Sequence, residues 1–124
     1  MRFMIIRRAG ADTEAGFPPG REFAARLRVY DETLIRAGVL LTAGRLRPES
    51  LVAQIARHGG EAVVTARPSL DTEWIAGFWL IQAKDRAEAV EWARRVPVPG
   101  RRVGVGVEVW QCASRPWRDS PECL

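Results

Sequence analysis

The sequence predicts an α+β domain in which two main helices cover one face of a mostly antiparallel sheet. Apolar residues recur at helical spacing after Arg21, and Gly77–Ala83 is an apolar run with the length of a buried strand. Valines alternate with other residues from Val103 to Val109, which is typical of a strand. The elements follow the order strand, helix, block of strands, helix, strand. This order favours helices on a single face of the sheet.

The composition is that of one soluble domain. The chain has 124 residues, of which 47% are hydrophobic and 27% charged, and this length supports a core without disulfide or metal cross-links. No apolar run is long enough to cross a membrane, and the first residues are too charged for a signal peptide, so we expect a cytoplasmic protein. The net charge of +4 comes from scattered arginines, with Lys84 as the one lysine. Because the arginines form no stripe or cluster, we expect no nucleic-acid binding and favour a small anionic ligand.

The two cysteines and the single histidine do not indicate a metal site. Cys112 and Cys123 lie near the end of the chain without a CxxC spacing, and we expect reduced thiols, with a disulfide as the alternative. Since His58 is the one histidine, a histidine-rich metal site is excluded. No glycine-rich nucleotide-binding motif is present, and we expect no cofactor.

The first part of the chain predicts a strand, a loop, a helix and a second strand. Arg2–Arg8 is apolar enough for a first strand, and a glycine- and proline-rich loop follows it. The helix begins near Arg21 and ends at Gly38. Val39–Gly44 is the second strand. The apolar stripe of the helix comprises Phe23, Leu27, Tyr30, Leu34 and Ala37, with Arg26 on its flank.

The middle of the chain predicts a hairpin and then the central strand. Leu51–Ile55 is a short edge strand, and a turn at His58–Glu61 leads into the strand Glu61–Thr65, which breaks at Pro68. Gly77–Ala83 needs cover on both faces and therefore lies in the middle of the sheet. The loop before it opens at the end of a central strand, where small-molecule sites often form. The polar residues of this loop are Arg67, Ser69, Asp71, Thr72 and Glu73, followed by Trp74.

The last part predicts a second helix and the final strand. Asp85 and Glu88 have the spacing of a helix N-terminal capping pair, and Val90 and Ala93 face inward. The final strand has one fully apolar face. Because the helices cover one face of the sheet, the valines and tryptophans of the other face need a partner. We therefore expect a homodimer that forms through the sheets.

Four stretches of the chain occur in an order that is shared by a known family. They are the helix end Arg36–Leu40, the strand Val63–Thr65 with a proline after it, the strand Ala76–Ile81 and the helix Ala89–Pro97. In this order they resemble the YCII-related proteins, and within them the branch named for an Asp-Gly-Pro-Phe motif. The resemblance covers residues 1–110 and leaves residues 111–124 as a C-terminal tail. It implies a ferredoxin-like domain that pairs into a dimeric α+β barrel, with a pocket between the helices and the sheet.

The chain departs from this branch at the motif itself, where it reads Ala66-Arg67-Pro68-Ser69 and retains only the proline. Some relatives are thought to use a His-Asp pair with the histidine on the first helix. That helix has no histidine here, so this mechanism cannot be carried over. Related barrels include isomerases, dehydrochlorinases, monooxygenases and cyclases that act on aromatic or polyketide-like substrates, and some relatives are associated with sigma-factor regulation.

The candidate site residues lie on the loop, the first helix and the central strand. Asp71 is either a general base or a solvated carboxylate that pairs with Arg67. Trp74 and Trp79 supply the apolar surroundings that a base needs. Arg67 either holds an anionic ligand oxygen or lies on the surface, and Tyr30 either donates to an oxyanion or packs in the core. The residues predicted to bind the substrate are Arg26, Arg45, Trp79 and Glu73.

Two functions follow from these residues and from the resemblance. The first is a cofactor-independent acid–base enzyme, of cyclase, dehydratase or isomerase type, that acts on an aromatic or polyketide-like metabolite. The second is a non-catalytic ligand-binding protein or regulatory partner. A third function, a monooxygenase without haem or flavin, is one that the related barrels allow. A buried tryptophan and asparagine near the pocket would favour it, but this chain contains no asparagine.

Overall fold

A four-stranded antiparallel sheet is the framework of the molecule. The computed structural model describes residues 1–9, 20–46, 51–68, 74–98 and 106–113. The elements in this part of the chain are β1 (Arg2–Ala9), α1 (Arg21–Arg36), β2 (Leu40–Arg45), β3 (Leu51–His58), β4 (Glu61–Pro68), β5 (Trp74–Gln82), α2 (Arg86–Ala93) and β6 (Val107–Gln111).

The strand order of the sheet is β2-β5-β1-β6, and every neighbouring pair is antiparallel. β5 therefore lies in the interior, as its continuous apolar sequence predicts. β3 and β4 form a separate two-stranded ribbon that is inserted between β2 and β5 in the chain. This order, together with two helices, is consistent with a ferredoxin-like fold, so the predicted α+β class is confirmed.

The hydrophobic core lies between the two helices and one face of the sheet, which we call the helix face. Burial alternates along β1, where Phe3 and Ile5 are fully buried and their neighbours Met4 and Ile6 are only half-buried. Residues of both helices belong to the same cluster as the buried strand residues, so both helices cover the same face. The cluster consists of Phe3, Ile5, Phe23, Leu27, Tyr30, Leu34, Trp79, Ile81, Ala83, Ala89, Ala93 and Val96.

The helix ends follow from local chemistry. Gly38 follows α1 with φ +75°, a left-handed conformation that glycine adopts without strain. At the start of α2, a carboxylate oxygen of Asp85 accepts a hydrogen bond from the backbone N–H of Glu88 at 2.9 Å, as the capping spacing predicts. The inward face of α2 is centred on Ala89 and Ala93, which are buried, and not on Val90, which is half-buried.

The ribbon is longer than predicted. β3 continues beyond Ile55 to His58 and β4 beyond Thr65 to Pro68, because all eight residues of each strand pair across the hairpin. Gly59 and Gly60, with φ +57° and +88°, form the tight turn between them. Arg67 consequently lies on a strand and not on the loop. β5 also begins three residues earlier than predicted, at Trp74, so the loop is shorter than its composition indicates.

The valines of the last strand lie on the helix face, whereas the dimer prediction places them on the face that needs a partner. Val107 and Val109 pack against the core on the helix face. The side chains that alternate with them, Glu108 and Trp110, lie on the other face because Ile6 and Met4 are their cross-strand partners. Val103 and the strand residues near it lie outside the described residues. In the described part of the chain no helix covers this other face, which is called the open sheet face below and comprises Met4, Ile6, Thr42, Phe78, Leu80, Glu108 and Trp110.

Two further expectations concern the cysteines and the membrane. Cys112 is disulfide-bonded, so the expectation of a reduced thiol is wrong at this position, while Cys123 lies outside the described residues. Sequence spacing predicts no such bond, because pairing depends on where the two thiols lie in space. In the described part of the chain, no helix has the length and apolar character needed to span a membrane.

Candidate functional site

A cavity of about 280 Å³ lies between α1 and the β2 edge of the sheet. Asp31 of α1 and Trp79 of β5 line it, together with three consecutive residues of β2, Ala43, Gly44 and Arg45. Ala43 pairs with Trp79 and Arg45 pairs with Gly77 across the two strands. The small side chains of β2 leave the space open, whereas Asp31, Arg45 and Trp79 supply its polar and aromatic groups.

The Asp31 carboxylate is the centre of this arrangement. The indole Nε1–H of Trp79 donates to Asp31 Oδ1 at 2.6 Å. A guanidinium nitrogen of Arg45, Nη2, donates to Asp31 Oδ2 at 2.8 Å. One carboxylate therefore links the first helix to two adjacent strands of the sheet.

The two contacts of Asp31 differ in strength. Trp79 is only 2% exposed, and a hydrogen bond to a charged group contributes about 1.5–3 kcal/mol. The side chain of Arg45 is 48% exposed, and an ion pair at such a position contributes about 0–1 kcal/mol. We therefore expect the indole contact to contribute more than the Arg45 contact to the position of Asp31.

The Trp79 ring is held from a second side by Tyr30, the residue before Asp31. The two rings meet edge to face, with centroids 5.1 Å apart and an interplanar angle of 85°. The Tyr30 hydroxyl donates to the backbone carbonyl of Trp92 at 2.8 Å. Burial raises the pKa of Tyr30 well above its ordinary value, with a smaller increase from Asp31 and an opposing decrease from Arg95. Tyr30 is thus a neutral hydrogen-bond donor that connects α1 to the end of α2.

Gly77 allows β2 and β5 to approach closely beside the cavity. A Cβ atom at Gly77 would lie 3.1 Å from the carbonyl oxygen of Gly44, which is tighter than most such contacts, and 3.8 Å from Cγ of Arg45, which is an ordinary contact. A larger residue at this position would therefore require the β2 backbone to shift by a few tenths of an ångström.

The structure brings together only some of the predicted site residues. Trp79 and Arg45 line the cavity. Tyr30 lies behind Trp79 with its hydroxyl proton in a hydrogen bond, so a catalytic role would require that bond to break. Arg26 is exposed and does not line this cavity. Asp71, Glu73 and the side chain of Arg67 lie outside the described residues, and their proposed roles stay predictions.

Asp31 is the site residue that sequence reasoning missed. It lies four residues after Leu27 and three before Leu34, so it borders the apolar stripe of α1. An acidic side chain at the edge of such a stripe is a usable signal, because a half-buried carboxylate requires hydrogen-bond donors. The identity of the donor was not predictable, since Trp79 lies 48 residues away in the chain.

In the described residues there is no group of three or more histidine, cysteine, aspartate or glutamate side chains with the geometry to hold a metal ion. The chemical groups at the cavity are one carboxylate, one guanidinium and one indole. This combination suits recognition of a small polar or anionic molecule with an aromatic part, and the carboxylate is a possible proton acceptor.

Comparison with known proteins assigns this architecture to a family. The model of the YCII-related domain matches residues 1–113, which include every helix and strand described above and all five residues of the cavity lining. No curated protein matches the sequence.

Proposed function

The chain belongs to the YCII-related family, and from this premise we propose that it is a cofactor-independent acid–base enzyme of cyclase, dehydratase or isomerase type. Its substrate is a small aromatic or polyketide-like metabolite. The observation that carries the proposal is the Asp31 carboxylate beside a cavity, oriented by Trp79 and Arg45. The volume of about 280 Å³ favours a ligand of one or two rings.

The roles of the three groups follow from their unused hydrogen-bonding capacity. A carboxylate has about four acceptor positions, and Asp31 uses one on each oxygen, so it retains positions for a substrate proton. A guanidinium has five N–H groups, and the partly exposed Arg45 retains donors for a carboxylate or enolate oxygen of the ligand. Trp79 keeps the base in place and gives the cavity an aromatic wall.

The second candidate is a non-catalytic ligand-binding or regulatory protein, and one observation favours it. Both oxygens of Asp31 already accept a hydrogen bond from protein donors, an arrangement that also suits a carboxylate whose task is to fasten α1 to the sheet. In this case Arg45 and the cavity bind a ligand, and Asp31 transfers no proton.

Hydrogen–deuterium exchange of small probes separates the two candidates. A panel of phenols, hydroxybenzoates and aromatic β-keto acids is incubated with the protein in D₂O, and carbon-bound exchange is followed by NMR. We expect catalysed exchange of at least one probe. The variant Asp31→Asn should slow it by about 10²–10⁴-fold, the usual contribution of a general base, while probe binding changes little. Glu32→Gln is the matched control, because Glu32 is an exposed carboxylate on the same helix.

Probe binding without exchange, or exchange that is unchanged in Asp31→Asn, would contradict the enzyme. The first of these results supports the binding protein. If Asp71→Asn slows the exchange and Asp31→Asn does not, the base is the loop carboxylate that the sequence predicts.

The proposal also includes a homodimer of the dimeric α+β barrel type and a place in the Asp-Gly-Pro-Phe branch. The support for the dimer is the open sheet face, which no helix of the described part covers and on which Trp110 is 57% exposed. An apolar sheet face of this kind is stable in water when a second copy covers it.

A further inference from the structure

One charged side chain on the helix face lies outside the cavity lining. Among the residues that the structure describes, Arg7 is the only charged one that is buried, with 4% of its surface exposed. It follows Phe3 and Ile5 along the buried side of β1. The central carbon of its guanidinium lies 5.1 Å from the centroid of the Phe23 ring of α1, a cation–π contact that helps to hold the charge there. Arg7 therefore lies between the sheet and the first helix.

Arg7 occupies the same row of the sheet as Arg45. The register pairs Arg7 of β1 with Gly77 of β5, and Gly77 with Arg45 of β2. Cross-strand partners point to the same side of a sheet, and both arginines contact side chains of α1, so the row faces the helices. We call Arg45, Gly77 and Arg7 the arginine row. Since its middle member is a glycine, no side chain of the row stands between the two arginines.

The two arginines are close enough for their charges to act on the same ligand. Two strand spacings separate them, so their Cα atoms lie roughly 10 Å apart. Arg45 lines the cavity and Arg7 does not. An anionic group that Arg45 binds would therefore lie on the order of 10 Å from the Arg7 charge. At an effective dielectric constant of about 20, two unit charges at this distance change a binding constant by roughly tenfold.

The charge balance of the site depends on Arg7. A guanidinium nitrogen of Arg45 lies 2.8 Å from a carboxylate oxygen of Asp31, so these two charges offset each other. Arg7 adds a further positive charge, and the three groups together carry one positive charge in excess. Such an excess beside the aromatic wall of Trp79 favours an anion over a neutral molecule of the same shape.

We propose that Arg7 determines the ligand selectivity of the cavity. The ligand is an aromatic carboxylate, which Arg45 binds directly and which Arg7 attracts across Gly77. A carboxylate matches the fork of N–H groups on a guanidinium, and the ring of the ligand packs on Trp79. The inference rests on the ligand site of the proposed function and narrows its substrate class. It applies equally to an enzyme and to a binding protein, because Arg7 acts on affinity and not on proton transfer.

Binding of two matched probes tests this selectivity. Para-hydroxybenzoate carries a carboxylate, and para-hydroxybenzamide has nearly the same shape without the charge. Each probe is titrated into the full chain and followed by NMR, with the indole N–H signal of Trp79 as the reporter of the cavity. The variant Trp79→Phe assigns this signal. We expect the wild type to bind the carboxylate about tenfold more tightly than the amide, or better.

Substitutions of Arg7 measure its share of this preference. Arg7→Met removes the charge and keeps a long side chain. We expect the preference for the carboxylate to fall by about fivefold or more, while the Kd of the amide changes by no more than about twofold. Arg7→Gln carries the same expectation and serves if Arg7→Met does not fold. Arg28→Met is the matched control, because Arg28 is exposed on α1 and its charge is screened by solvent, so the preference should not change.

An unchanged preference in a folded Arg7 variant, or a wild type that binds both probes equally, would overturn the inference. Equal weakening of both probes would also overturn it, because that result indicates a structural role for Arg7. If neither probe shifts the Trp79 signal of the wild type, the ligand site itself is rejected together with the inference. These titrations require no proton exchange, so the acid–base proposal is tested separately.

Discussion

Trp79 is the residue on which the cavity depends. Its ring packs against Tyr30, its N–H holds Asp31, and its position in the central strand places both contacts under the first helix. Buried indole nitrogens usually have a hydrogen-bond partner, and here the partner is a carboxylate at the edge of a cavity. The same hydrogen bond thus contributes to stability and orients the group that we propose as the base.

Two double-mutant cycles measure how much each contact of Asp31 contributes to the free energy of unfolding. We expect Asp31→Ala combined with Trp79→Phe to give a coupling free energy of about 1.5–3 kcal/mol in urea unfolding, because Trp79 is buried and the bond is charge-assisted. Asp31→Ala combined with Arg45→Gln should give about 0–1 kcal/mol, since Arg45 is half-exposed. Equal couplings would contradict the assignment of Trp79 as the fixing partner.

Because of Tyr30, we expect the free energy of unfolding to depend on pH in the alkaline range. Its pKa in the folded protein is raised above the ordinary value of 10.0 by burial, so folding favours the neutral phenol. This contribution is fully present below pH 10 and is lost as the pH rises from there towards the folded-state pKa. In Tyr30→Phe the hydrogen bond to Trp92 is absent, at a cost of about 0.5–1.5 kcal/mol near neutral pH.

Urea unfolding of both proteins as a function of pH checks this expectation. The difference between wild type and Tyr30→Phe should shrink as the pH rises above 10, because only the wild type has a phenol to ionise. Since the chain contains a single tyrosine, ultraviolet titration of tyrosinate reports on this residue alone. A phenol that titrates near pH 10 in the folded state would contradict the predicted shift.

At the scale of elements, α2 depends on its N-terminal cap. The helix has only eight residues, and short helices obtain little stability from propensity alone. Asp85 accepts from the N–H of Glu88, and Glu88 Oε2 accepts from the N–H of Lys84 at 3.1 Å, so two backbone donors are satisfied.

Asp85→Ala should lower the free energy of unfolding by about 0.5–2 kcal/mol, as loss of a helix cap usually does. Glu91→Ala is the control, because Glu91 is an exposed residue of the same helix, and its effect should stay within about 0.5 kcal/mol. Chemical denaturation followed by circular dichroism gives both values. Equal effects of the two substitutions would exclude a specific capping contribution.

The elements that periodicity determines could be predicted, and the features set by tertiary contacts could not. The stripe of α1 and the central position of β5 follow from which residues must be buried. The length of β3 and β4 depends on their pairing, which extends both strands beyond the segments with high strand propensity. Asp31 was missed for a similar reason, because its partner Trp79 comes close only after the helix packs on the sheet.

At the scale of the molecule, the two faces of the sheet differ in what covers them. The helix face is closed by α1 and α2, whereas the open sheet face presents the row Thr42, Leu80, Met4 and Trp110 across four strands. The sequence predicts that one sheet face needs a partner. The sequence does not show which side of β6 belongs to that face, because both sides of this strand carry large apolar residues.

A charge placed on this row tests the homodimer directly. Leu80 is half-buried on the open sheet face at the centre of the row, so Leu80→Asp should dissociate the dimer without removing a residue of the helix-face core. Val29→Asp is the matched control, because Val29 is 60% exposed on α1 and belongs to neither sheet face. Light scattering at micromolar concentration should give twice the chain mass for wild type and Val29→Asp, and a single chain mass for Leu80→Asp. Near-ultraviolet circular dichroism establishes that each variant remains folded. A folded Leu80→Asp dimer, or dissociation by Val29→Asp alone, would place the interface on another surface and reject pairing through the sheets.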